Sequence, residues 1–166
     1  MWPVRCLTQS SVLPFASVRV TNECRSPCTQ KRMRVALFSN SSDLVMPEPW
    51  EFDIEFDQKT GHVSRVVQGD NARFARYIAE QNRATDTSKE QIKKLIPLAE
   101  KLNVIIALEN VWNNLWVRPD LYRNFVASFD HPFVQAYYDV GNHVKYLVPV
   151  HEWIRTLGRL IRKVHI

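Results

Sequence analysis

Three residues of types that bind metal ions lie at the ends of apolar segments. Glu109 follows residues 104–108, Asp139 follows residues 134–138, and His165 follows residues 163–164. The intervals from 109 to 139 and from 139 to 165 are close to the roughly 31 residues of one strand–helix repeat. Because the carboxyl ends of parallel strands meet at one edge of a sheet, we expect the three side chains to converge. Two carboxylates and one imidazole could then bind a single divalent cation.

Helical patterns separate these apolar segments and predict how the segments are connected. Thr87 and Glu90 form a capping box, and the helix that they begin is expected to end at Asn103. Its apolar residues are Ile92, Leu95, Ile96, Ala99 and Leu102. A second helix is predicted from Pro119, and a third after Pro149. The residues of the third helix that are expected to face the core are Trp153, Ile154, Leu157, Leu160 and Ile161. Alternating helices and strands predict an α/β fold with a parallel sheet.

The first half of the chain carries weaker signals. Residues 34–38 form one candidate strand. Residues 50–56 alternate apolar and acidic side chains, and a turn at residues 59–62 leads to a return strand at 62–67, which predicts a β-hairpin. A helix is expected at about residues 72–81. None of these patterns indicates a function.

Composition divides the 166 residues into three parts. The formal charge of +5 comes mainly from residues 1–42, in which Glu23 is the only acid, so this segment is predicted to be an irregular, basic, disordered or non-native head. A transit peptide and a misplaced start codon are both open explanations for it. Residues 43–84 are unassigned beyond the hairpin and the helix, and residues 85–166 form the α/β part.

Several classes of protein are disfavoured by the same composition. The second half shows no basic face interleaved with aromatic residues, so nucleic acid is not an expected partner. No apolar run is long enough to span a membrane, and we expect a cytoplasmic protein. The cysteines Cys6, Cys24 and Cys28 all lie in the head and are expected to be free thiols rather than a disulfide framework or a zinc site.

Four short motifs in the second half occur in an order that resembles a known family. They are residues 106–113 (IALENVWN), 138–142 (YDVGN), 153–158 (WIRTLG) and 163–166 (KVHI). Together they resemble the sugar phosphate isomerase/epimerase family, which has a xylose isomerase-like TIM barrel, and within it the L-ribulose-5-phosphate 3-epimerase and hexulose-6-phosphate isomerase-like proteins. The resemblance covers about residues 85–166. It implies a partial (β/α)8 barrel comprising roughly strands five to seven, with an irregular N-terminal segment, so the chain is expected to be a fragment.

The resemblance also implies a site and a reaction. Glu109, Asp139 and His165 would bind a divalent cation such as manganese, zinc, magnesium or cobalt, and Glu109 would also be the catalytic base. The substrate would be a ketose or a sugar phosphate, isomerised or epimerised by proton transfer through an enediolate. Candidate substrate contacts are Asn110, Trp112, Asn113, Asn142 and His143. The family completes its site with a glutamate on the eighth strand, for which this chain has no equivalent.

Two other functions are compatible with the sequence. Metal-dependent endonucleases that act at abasic DNA sites share the barrel but use more histidine ligands. A non-catalytic remnant is the second alternative, because part of a barrel exposes unpaired strand edges. Association into a homo-oligomer would cover such edges.

Overall fold

A computed structural model describes residues 45–166 in full and, before residue 45, the backbone of two strands. These strands are β1 (Ser17–Asn22) and β2 (Lys31–Phe38). They are regular structure within a segment that was expected to be irregular, and β2 includes the candidate strand at residues 34–38. The expectations for Cys6, Cys24 and Cys28, and for a leader, fall outside the described residues.

One five-stranded sheet organises the molecule, with the strand order β1, β2, β5 (Val104–Glu109), β6 (Val134–Asp139) and β7 (Ile161–His165). The last three are the strands predicted to carry the metal ligands, and this prediction is confirmed. Strands β2, β5, β6 and β7 are parallel, and β1 is antiparallel to β2. The sheet is open, and no barrel closes within the described residues. The chain is therefore an α/β fold of the partial-barrel type.

A single helix, α1 (Ala75–Leu102), replaces the two helices that the sequence predicted. A short 3-10 turn at Ala72–Phe74 leads into it, and Asn103 ends it in a left-handed conformation with φ 50°, as expected. Thr87 is therefore an interior residue, and its assignment as a helix cap was wrong. The buried side chains across the predicted break between the two helices are Gln81, Thr85 and Ser88. Because these side chains are polar, hydrophobic periodicity does not reveal that they face inward.

Three further helices follow the strands: α2 (Pro119–Ala127), α3 (Val140–His143) and α4 (Val150–Leu157). Helix α2 begins at Pro119, and α4 begins at Val150 directly after Pro149, as predicted. Proline is tolerated at the start of a helix because the backbone N–H that it lacks has no partner there. Within α4, Trp153 and Leu157 are buried as expected, but Ile154 is 47% exposed. Leu102 at the end of α1 is also exposed, so the inward assignment was wrong for these two residues. None of the described helices is long and apolar enough to cross a membrane.

The two faces of the sheet carry different side chains. Ile106 and Leu108 of β5 and Tyr138 of β6 pack against the helices in the main hydrophobic cluster, together with Tyr122 and Trp153. Successive side chains of a strand point to opposite faces. The carboxylates that end β5 and β6 therefore lie on the face opposite the helices, which is the inner face in a closed barrel.

The predicted hairpin is present but short. It consists of β3 (Glu55–Phe56) and β4 (Val63–Arg65), which pair antiparallel, and Gly61 has a φ of 80° in the turn between them. A second hydrophobic cluster joins the hairpin to α1 and α2 through Val63, Tyr77 and Leu121. The hairpin therefore packs against the helical layer and lies outside the five-stranded sheet.

Candidate metal centre

The strand register brings the three predicted ligands together. Asp139 and His165 are direct partners on β6 and β7, and His165 Nδ1 lies 2.7 Å from Asp139 Oδ2. Glu109 on β5 is opposite Tyr137, which lies on the same face of β6 as Asp139. One ligand atom from each of Glu109, Asp139 and His165 lies within 4.8 Å of the other two. The convergence predicted from strand ends is therefore present.

The donor set fits a divalent cation. Bonds of about 2.0–2.2 Å place two donors of one cation at most about 4.4 Å apart, so the observed separations require only a small adjustment. Glu109 is fully buried and Asp139 is 8% exposed, whereas the side chain of His165 is 58% exposed. The imidazole is therefore the ligand whose position can adjust most readily to a bound cation. Two carboxylates and one nitrogen suit manganese, zinc, magnesium or cobalt, and three protein ligands leave coordination positions for a substrate.

Asn110 links the ends of the two ligand-bearing strands. Its Oδ1 accepts the backbone N–H of Asp139 at 2.7 Å, and its Nδ2 donates to the Asp139 carbonyl at 2.8 Å. Because Asn110 directly follows Glu109 and is 4% exposed, these two buried hydrogen bonds hold Asp139 at a set distance from Glu109. Outer-sphere contacts of this kind orient metal ligands.

Asn142 supports the same arrangement from the turn after β6. Its backbone N–H donates to Asp139 Oδ1 at 3.0 Å, so the other carboxylate oxygen, Oδ2, is the one that faces His165. Its Nδ2 donates to the Asn110 carbonyl at 3.0 Å. Asn110 and Asn142 therefore brace the metal ligands, a role that was not predicted for Asn142 from the sequence. Their contacts with substrate stay a prediction.

His143 lies in the core behind the site. It is 1% exposed, its Nδ1 lies 2.8 Å from the Tyr138 hydroxyl, and its ring is 5.1 Å from that of Trp153. Burial lowers the pKa of His143, and the nearby Asp139 opposes this shift. This position does not favour the substrate contact predicted for His143, because packed rings surround the imidazole.

Trp112 and Asn113 differ in exposure on the loop after β5. Trp112 is 66% exposed, so it is not packed beneath the loop, whereas Trp116 is buried and stacks on Tyr122 with ring centroids 4.6 Å apart. Asn113 is 6% exposed, and its Oδ1 accepts the backbone N–H of Leu115 at 3.0 Å. Of these two predicted substrate contacts, Trp112 is the one that presents a large surface to solvent.

Tyr122 is a supporting residue that the sequence analysis missed. Its hydroxyl donates to the carbonyl of Leu108, the residue before Glu109, at 2.7 Å. Burial raises its pKa well above the usual value, and the charge of Glu109 adds to the shift. The phenol is therefore a neutral donor that holds the end of β5. In the sequence, Tyr122 shows only the helical spacing of a residue that packs in the core, and this spacing does not indicate a hydrogen bond to β5.

Comparison with known proteins gives one match. The family model described as the xylose isomerase-like TIM barrel matches residues 48–166. This match begins before the segment in which the motif resemblance was found and includes the hairpin and α1. No curated protein and no solved structure matches the chain.

Proposed function

The chain belongs to the xylose isomerase-like TIM barrel family, and from this premise we propose that its site serves a metal-dependent isomerase or epimerase of a ketose or sugar phosphate. The family is enzymatic in general and includes isomerases, epimerases and endonuclease-like members. The partner would be a small sugar molecule in the cytoplasm. The observation that carries the proposal is the convergence of Glu109, Asp139 and His165 on adjacent parallel strands.

Each residue would have a distinct task in this reaction. Isomerisation or epimerisation of a ketose removes a proton from a carbon next to its carbonyl group. A bound divalent cation would supply Lewis-acid stabilisation of the negative charge that develops on the sugar oxygens. Glu109, Asp139 and His165 would hold the cation, and Glu109 would also accept the proton as the catalytic base. Return of the proton by Glu109 to the former carbonyl carbon, with a hydroxyl proton passing to the carbonyl oxygen, would give the isomer. Formation of the epimer would need a second acid on the opposite face, which is the role of the glutamate on the family's eighth strand.

The composition of the cluster favours this reaction over the endonuclease alternative. Sites with more histidine ligands are expected for the endonucleases, whereas this cluster, as found among residues 45–166, contains one histidine and two carboxylates. A carboxylate base buried beside the cation is the feature that proton transfer requires. Glu109, fully buried in the cluster, meets that requirement.

Proton exchange in D2O tests the proposal most directly. The chain, loaded with Mn²⁺, is incubated with pentuloses, hexuloses and their phosphates, and deuterium at the carbon next to the carbonyl is followed by NMR. We expect Glu109→Gln to slow exchange by roughly 10²–10⁴-fold, the usual contribution of a general base. Glu90→Gln is the matched control, because Glu90 is an exposed residue of α1 that pairs with Lys94. Absence of Mn²⁺ binding, or equal exchange by Glu109→Gln, would overturn the proposal.

A further inference from the structure

Lys145 is a partly buried cation that pairs with no carboxylate of residues 45–166. Its Nζ lies 5.4 Å from the ring centroid of Trp112 and 4.8 Å from that of Tyr146. Its hydrogen-bond acceptor is Asn114 Oδ1 at 2.8 Å, and no carboxylate among the described residues pairs with it. Burial lowers the pKa of Lys145. An ammonium removed from water without a counter-charge is unfavourable, so an anion placed here would gain binding energy.

The amide of Asn114 offers a second donor at the same place. Its Oδ1 accepts hydrogen bonds from Lys145 Nζ and from the Tyr146 hydroxyl, at 2.8 and 3.1 Å. Two donors on one side determine which end of the amide is oxygen, so the NH2 group points away from them. Within the described part of the chain, Asn114 Nδ2 donates to no residue. The Tyr77 hydroxyl donates to the Asn114 carbonyl at 3.0 Å and holds the backbone in place.

These donors lie at the end of the sheet that carries the candidate metal centre. Trp112 and Asn114 belong to the loop that follows Glu109 on β5, and Lys145 belongs to the turn that follows Asp139 on β6. Trp112 exposes 66% of its surface there. An exposed indole next to hydrogen-bond donors is typical of sites that bind a polar molecule with an apolar C–H face.

We propose that Lys145, Asn114 and Trp112 form a subsite for the anionic end of an acyclic sugar, which is either a phosphate or a carboxylate group. Lys145 Nζ and Asn114 Nδ2 donate hydrogen bonds to the anion, and the indole of Trp112 packs against the carbon chain. This assignment rests on the proposed function for the sugar itself. It deepens that function, because it makes the substrate a charged sugar rather than a neutral one.

Binding of unreactive sugar analogues tests the subsite. Ribitol, ribitol 5-phosphate and ribonate are titrated by calorimetry into the chain in EDTA and again with Mn²⁺. We expect at least one of the two anions to bind roughly tenfold or more tightly than ribitol, as for a charge-assisted hydrogen bond, and the better one identifies the group. Lys145→Met should remove this preference, and Lys145→Arg should keep it. Lys101→Met, at the exposed end of α1, is the matched control.

Two results would refute the subsite. If neither anion binds better than ribitol, or if Lys145→Met keeps the preference, Lys145 only packs against the two rings and the subsite does not exist. The measurement in EDTA needs neither the cation nor Glu109. An anion preference that depends on Lys145, in a chain that exchanges no protons, would therefore refute the isomerase proposal alone. Proton exchange without that preference would refute the subsite alone.

Discussion

Truncation of Asn110 to alanine should weaken both the fold and the metal centre. The side chain makes two buried hydrogen bonds to the backbone of Asp139, at 2.7 and 2.8 Å. Its removal leaves a buried N–H and a buried carbonyl without these partners, at about 1–2 kcal/mol for each group. We therefore expect Asn110→Ala to lower the free energy of unfolding by about 2–4 kcal/mol. Because Asp139 is then less well positioned, metal affinity should fall roughly 10–100-fold.

A matched control exists on α1, next to the hairpin. Asn82 of α1 binds the backbone of Val63 in the same two-bond arrangement, at 2.7 and 2.9 Å. Those bonds are only partly buried, so water can replace them, and Asn82→Ala should cost about 1–2 kcal/mol. Asn82 lies beside the hairpin, far along the chain from the metal ligands. Its truncation should leave metal affinity unchanged.

Urea unfolding and Mn²⁺ calorimetry, carried out on both variants and the wild type, separate the two effects. Stability should fall in both variants, and affinity should fall only in Asn110→Ala. The reasoning is refuted if Asn110→Ala binds Mn²⁺ as tightly as the wild type while it remains folded. It is equally refuted if Asn82→Ala loses as much affinity, because the effect would then reflect general destabilisation.

Two further predictions concern the core behind the site. Trp153 is fully buried against Tyr122, Tyr138 and His143, so Trp153→Ala should cost about 3–5 kcal/mol in urea unfolding, whereas Ile154→Ala on the exposed side of the same helix should cost less than about 1 kcal/mol. Burial lowers the pKa of His143 from its ordinary 6.5, so the unfolded chain takes up the proton first, and stability should decline as the pH falls from about 6.5 toward the lowered value. Urea midpoints measured from pH 8 to pH 5 should show this decline in the wild type and less of it in His143→Gln; an equal decline in both would contradict the assignment.

The main elements around the site could be predicted because their signals are local. Apolar runs ending on Glu109, Asp139 and His165 identify β5, β6 and β7, and Pro119 and Val150 mark helix starts. The continuity of α1 could not be predicted in this way. Its buried stripe at Gln81, Thr85 and Ser88 is polar, and at Gln81 a hydrogen bond to the distant Leu115 carbonyl compensates for burial. Such compensation depends on tertiary contacts.

The residues that could bind a cation are predictable from the order of residues in the chain, because strand ends in a parallel sheet share one edge whatever the details of packing. The folded structure sets how those residues are supported. It places Asn110 and Asn142 where they hydrogen-bond to Asp139, and it buries His143 in the core. It also places Lys145 next to the exposed ring of Trp112. Burial and hydrogen-bond partners are set by segments that lie far apart in the chain, and no local pattern encodes the approach of those segments.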